Sequence, residues 1–100
     1  MKIYIAGKIT GLDTFRENFA EAQTKLETEG HSVMNPAVLP KGFEHREYMH
    51  ICYAMIDVCD TVFMLDNWTD SIGAAMEHEY AIRTHKKLTY QRSQGQQLEK

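Results

Sequence analysis

Positive charge is in short supply in this chain: eleven Lys and Arg stand against fourteen Asp and Glu, a formal net charge of −3. Without a broad basic field, electrostatic capture of nucleic acid is not expected. Long hydrophobic runs are missing too. None approaches the ~20 residues that span a bilayer, so no membrane partner is expected. No signal-peptide core or cleavage site precedes the first strand-like run, and a cytoplasmic location is the default expectation. Only two cysteines are present. Cys52 and Cys59 fall seven apart on one expected helix, roughly 10 Å along its axis. That is too far for a disulfide, and both read as reduced, buried thiols. No internal repeat and no second domain are visible. One hundred residues suffice for one domain with a modest core, which association into a homodimer or higher homo-oligomer would help.

What is present is an alternation of strand and helix signals. Lys2-Ile3-Tyr4-Ile5-Ala6 is a run of β-formers closed by Gly7. Thr14 and Glu17 have capping-box spacing. Phe15, Phe19, Ala22 and Leu26 then recur at helical spacing up to the stop at Gly30. His31 to Met34 reads as a second strand broken by Asn35-Pro36, and a loop containing Pro40 and Gly42 follows. A second helix is expected from about Glu44 to Val58, with Tyr48, Ile51, Cys52, Met55 and Ile56 on its apolar side. Thr61 to Leu65 is the third strand, Ser71 the N-cap of a third helix ending near Thr84, and Lys87 to Tyr90 the fourth strand. Residues 91–100 are polar and Gln-rich and are expected to fray. The folded domain is thus expected over residues 1–90. It is an α/β domain, a three-layer flavodoxin-like or Rossmann-like parallel sheet of about four strands in the order 2-1-3-4.

In that order the winding reverses between the first and third strands, and ligands bind at the carboxyl ends of the strands flanking such a reversal. The loops there are Gly7-Lys8-Ile9-Thr10-Gly11 and Asp66 to Gly73. The first offers backbone N–H groups, the Lys8 charge and the Thr10 hydroxyl, a setting that suits an anion such as phosphate. It lacks Walker spacing and the dinucleotide fingerprint. Opposite it, Ser71 and the helix start precede Glu77, a carboxylate between one and two turns into the helix, with Gly73 and Ala74 leaving room over it. Such a group can attack an anomeric carbon and form a glycosyl ester; alternatively it pairs with a base or salt-bridges to Arg83 or Lys8. Glu79 and Arg83 have the spacing of a surface pair. His45 and His50, five apart, do not share a helix face. No Cys/His cluster and no Ser-His-Asp set can be assembled, so neither metal nor cofactor is expected.

Several of these stretches together resemble a known superfamily. Residues 2–11, Asn35-Pro36, Cys59-Asp60-Thr61-Val62 and Ser71-Ile72-Gly73-Ala74-Ala75-Met76-Glu77-His78-Glu79-Tyr80-Ala81 are similar to nucleoside 2-deoxyribosyltransferases and their relatives. Among these the chain most resembles a short, uncharacterised, often phage-borne branch, and the relatives include deoxynucleoside 5′-monophosphate N-glycosidases. The similarity spans roughly residues 2–90, and its most specific piece is Ser-x-Gly-x-x-x-Glu with the following Tyr-Ala.

The resemblance implies that Glu77 is a nucleophile toward C1′ of a 2-deoxyribosyl group, with Tyr4 orienting it and Ser71 near a phosphate. The sugar would pass to another base or to water, so the implied partner is a small nucleoside or nucleotide. One departure stands out. Catalytic relatives carry an Asp eight residues ahead of the position of Asp60, and here that residue is Cys52. Asp57 lies about 140° further round the helix, which leaves Asp66, at the end of the third strand, as the substitute candidate. Trp68 is a candidate either to stack on a base or to pack across a dimer interface. Three readings follow: an N-glycosidic enzyme, a non-catalytic nucleotide-binding module, or a structural protein that keeps only the fold.

Overall fold

The computed structural model describes residues 1–91. Four strands, β1 (Lys2–Ala6), β2 (Ser32–Met34), β3 (Thr61–Met64) and β4 (Lys87–Tyr90), alternate with three helices, α1 (Phe15–Thr28), α2 (His45–Asp57) and α3 (Ile72–Arg83). All strand pairs are parallel and the order is β2-β1-β3-β4, as expected for a flavodoxin-like α/β sheet. Tyr4 is in register with Val62, and Val62 with Leu88. The central strand β3 is buried at every position and β1 at every position but its first, whereas β2 forms an exposed edge.

Alternation along β1 and β3 divides the interior in two. Ile3, Ile5, Phe63 and Leu65 meet Phe19, Ala22 and Leu26 of α1 on one side of the sheet. On the other side, Tyr4, Ala6, Val62 and Met64 meet Cys52 and Ile56 of α2 and Ala74 and Ala81 of α3. One helix on one face and two on the other give three layers. Both cysteines are free and buried. Among the described residues no helix is long and apolar enough to cross a membrane.

Two local expectations give way. Thr14 precedes α1 but makes no side-chain cap; its hydroxyl accepts from Asn18 Nδ2 at 3.5 Å instead. The capping box belongs to α2, where Glu44 and Glu47 satisfy each other's backbone N–H groups. Glu is outside the usual cap preferences, which is why pattern reading passes over it. Gln91, expected to begin the frayed tail, extends the β4 pairing through its N–H to Met64 O at 2.8 Å. The remainder of that tail, residues 92–100, lies outside the described residues.

Candidate active site

The loops following β1 and β3 meet because they are tied together. Lys8 N–H donates to Asn67 Oδ1 and Lys8 Nζ donates to the Asp70 carbonyl, each at 3.0 Å. Gly7 is needed where the first loop crosses Leu65, since a Cβ there would lie 2.6 Å from Leu65 Cδ1. Gly11, at φ +78°, turns the chain back toward α1 in a conformation that disfavours side chains.

Beside these loops, at the carboxyl end of β1, lies a cavity of about 210 Å³. It is smaller than the roughly 300 Å³ at the low end of drug-sized pockets. Its walls include Tyr4, Gly7, Ile9, Thr10, Ser71, Gly73 and Glu77, seven residues expected there. Lys8, Gly11, Asp66 and Trp68 are not among them. Lys8 is spent on joining the two loops. Asp66 is exposed, and its N–H donates to Gln91 Oε1 at 3.0 Å. Trp68 stacks on the His78 ring at 4.2 Å and 14°, and His78 in turn bonds the Tyr90 hydroxyl at 2.7 Å.

Glu77 is 6% exposed and pairs with neither Lys8 nor Arg83. Its Oε2 accepts from the Tyr4 hydroxyl at 2.8 Å, a bond whose donor is itself fully buried. Arg83 pairs with Glu79 at 3.4 Å on the surface. Burial pushes the Glu77 carboxyl up to about 7, against the smaller lowering effect of hydrogen bonds from Tyr4 and Cys52. Burial, then the nearby Glu77 charge, pushes the Cys52 thiol up to about 12. The same two causes, in the same order, hold the Tyr4 hydroxyl well above its usual range. Tyr4, Cys52 and Glu77 thus form one buried cluster open to the cavity, and the residue standing where the resemblance expects Asp does face the carboxylate. Asp57 does not; it accepts from the Tyr80 hydroxyl at 2.6 Å on the outer side.

The opposite wall was not legible from motifs. Asn35 caps a 3₁₀ turn, Pro36–Val38, through Oδ1 to Ala37 N–H at 2.8 Å. Its amide donates to Gln23 of α1 at 2.9 Å, fixing Pro36 and Ala37 against the cavity. The loop beyond carries Lys41. It is pinned by Tyr48, whose hydroxyl donates to Pro40 O at 2.6 Å and accepts from Phe43 N–H at 3.3 Å. Phe15, Arg16, His45 and Met49 complete that side, with the Arg16 guanidinium 4.6 Å above the Phe15 ring. The only sequence signal was the Asn35-Pro36 and Pro40–Gly42 breaks, which mark a loop but not what it faces.

On the α3 side, the Ser71 hydroxyl oxygen accepts from Ala74 N–H at 3.1 Å. The first N–H groups of the helix, including that of Gly73, have no partner within the helix. The lining therefore sets Arg16, Lys41 and His45 against one carboxylate, Glu77. Among the described residues no group of three His, Cys, Asp or Glu side chains is arranged to hold a metal.

Fold and site together define a parallel α/β protein with a small cavity at its strand-order reversal and a buried carboxyl in that cavity's wall. The chain belongs to the DUF4406 family, described as a domain of unknown function, whose model matches residues 1–90. No curated protein matches the chain.

Proposed function

We propose that the cavity takes a 2-deoxynucleoside or its 5′-monophosphate, and that Glu77 attacks C1′ of the sugar to release the base. The glycosyl ester then passes the sugar to water or to a second base. The observation that carries this reading is the Glu77 carboxyl, buried and hydrogen-bonded by Tyr4 in the wall of a cavity at the β1/β3 crossover. A group titrating near 7 is about half ionised at neutral pH, and its carboxylate is stripped of water but still oriented by Tyr4. Arg16, Lys41 and the start of α3 suit the negative charge of a phosphate. The resemblance to nucleoside 2-deoxyribosyltransferases points the same way. A homodimer belongs to this reading, with a second subunit closing the cavity beside the exposed Arg16 and Lys41.

The test is a panel of deoxy- and ribonucleosides and their monophosphates at high enzyme concentration. Wild type should release free base from some member and Glu77→Ala from none. Silence across the panel defeats the proposal. Cys52, in place of the expected carboxylate, favours one alternative: a non-catalytic nucleotide-binding module. Saturable nucleotide binding that is unchanged in Glu77→Gln, without product, would support that alternative. Hydrolysis gained by Cys52→Asp would show instead that only the missing carboxylate stood between binding and turnover.

A further inference from the structure

A departing base needs a proton, and the cavity has few groups to give one. Cys52 holds its proton too tightly to exchange it at neutral pH. Asp57 and Asp66 are outside the cavity. The hydroxyls of Tyr4 and Tyr48 are committed to Glu77 and Pro40 O. Arg16 and Lys41 are cations suited to an anion rather than to giving up and taking back a proton. The remaining ionisable group on the walls is His45, and imidazole is the side chain that does both near neutrality.

Its placement fits. His45 is the first residue of α2, directly after the N-cap Glu44, and its exposed ring lies near Gly73 in the first turn of α3. A Cβ on Gly73 would sit 3.7 Å from His45 Cε1. Gly73 and Glu77 are four apart on one face of α3, a rise of about 6 Å. The imidazole thus packs across the cavity against α3, one helical turn before the residue that bears the carboxylate, and both line the cavity.

We infer that His45 is the catalytic acid and base of the N-glycosidic reaction; this rests on the proposed Glu77 chemistry. As Glu77 bonds to C1′, the C1′–N bond breaks and its electron pair goes to the base nitrogen, which takes the proton of the His45 imidazolium. The base leaves neutral. Water then attacks C1′ and gives a proton back to His45 as the ester bond breaks and the Glu77 carboxylate returns.

The experiment compares wild type, His45→Ala and Glu77→Gln on two substrates. One is a 2′-deoxynucleoside 5′-monophosphate turned over by wild type. The other is p-nitrophenyl 2-deoxyribofuranoside 5-phosphate, whose phenolate leaves without a proton. His45→Ala should lose about 10²–10⁴-fold on the nucleotide, while its first-turnover burst of phenolate from the aryl substrate stays within a few-fold of wild type and the later, ester-hydrolysing turnovers slow. Glu77→Gln should lose both. Equal loss by His45→Ala of first-turnover base release and of the phenolate burst, or loss of neither, overturns the assignment while leaving Glu77 in place. Wild type silent on both substrates and on the nucleotide panel overturns the Glu77 reading and this one with it.

Discussion

Adjacent residues of β1 enter two different interiors. Ile5 and Tyr4 are equally buried, each at 0% exposure, yet Ile5 joins an entirely apolar cluster against α1 while Tyr4 joins Cys52 and Glu77 against α2 and α3. Burial alone does not distinguish them; the side of the sheet does. On the α1 side, packing is the whole account, and removing apolar surface from water stabilises the fold at any pH. On the α2–α3 side, the same exclusion of water acts on an ionisable group, so folding costs free energy whenever Glu77 is charged. A carboxyl kept at such a cost, in a cavity wall, is what the proposed role of Glu77 builds on.

This contrast can be broken most forcefully on the apolar side. Phe19→Ala should lose about 3–5 kcal/mol in denaturant unfolding, by the same amount at pH 5 and pH 8. A loss that varied strongly with pH would mean the two interiors are coupled.

Glu77→Gln should do the opposite. Glu77 titrates near 4.5 when unfolded and at about 7 when folded. Below about pH 4.5 both states hold the proton and its burial costs least. Between about 4.5 and 7 the unfolded state sheds the proton first and stability falls, levelling off above 7. The fall is about 3 kcal/mol for this shift at ~1.4 kcal/mol per unit. The amide variant should lack that fall and be the more stable protein at pH 8, as read from unfolding across pH.

Tyr4→Phe sharpens the comparison further, since it keeps the ring in the core and removes only the hydroxyl. It should cost about 1.5–3 kcal/mol at pH 8, the worth of a bond to a charged group. Little of that loss should remain at pH 4, and the Glu77 midpoint should move upward. Smallest of all is Glu79→Ala, two residues from Glu77 on the same helix. Its partner Arg83 is exposed, so the change should stay within about 0.5 kcal/mol.

The fold was legible because each element carries its own period: alternation in β1 and β3, helical spacing in Phe15, Phe19, Ala22 and Leu26. Strand order then follows from right-handed crossovers. Glu77 and Ser71 were legible because both sit on elements flanking the β1/β3 reversal, whereas Tyr4 came only from the resemblance. Lys8 stands outside the cavity lining for a physical reason: composition shows a charge in a glycine loop, but only the fold shows that Asn67 and Asp70 come close enough to claim it. The wall from Pro36 to Met49 depends on contacts with α1 and β1 far away in sequence, and no local period announces those. His45 was weighed against His50 as a helix-face pair, when its neighbour in space is Gly73 of α3.

The most direct test of Glu77 as the reacting group is to catch it bonded to sugar. Wild-type protein would be mixed with each 2′-deoxynucleoside 5′-monophosphate, quenched in acid within one turnover, digested and read by mass spectrometry. A deoxyribosyl phosphate adduct on the peptide containing Glu77, absent from Glu77→Gln, is the predicted result. Base released with the adduct on another residue, or without any adduct across the whole set, would contradict it.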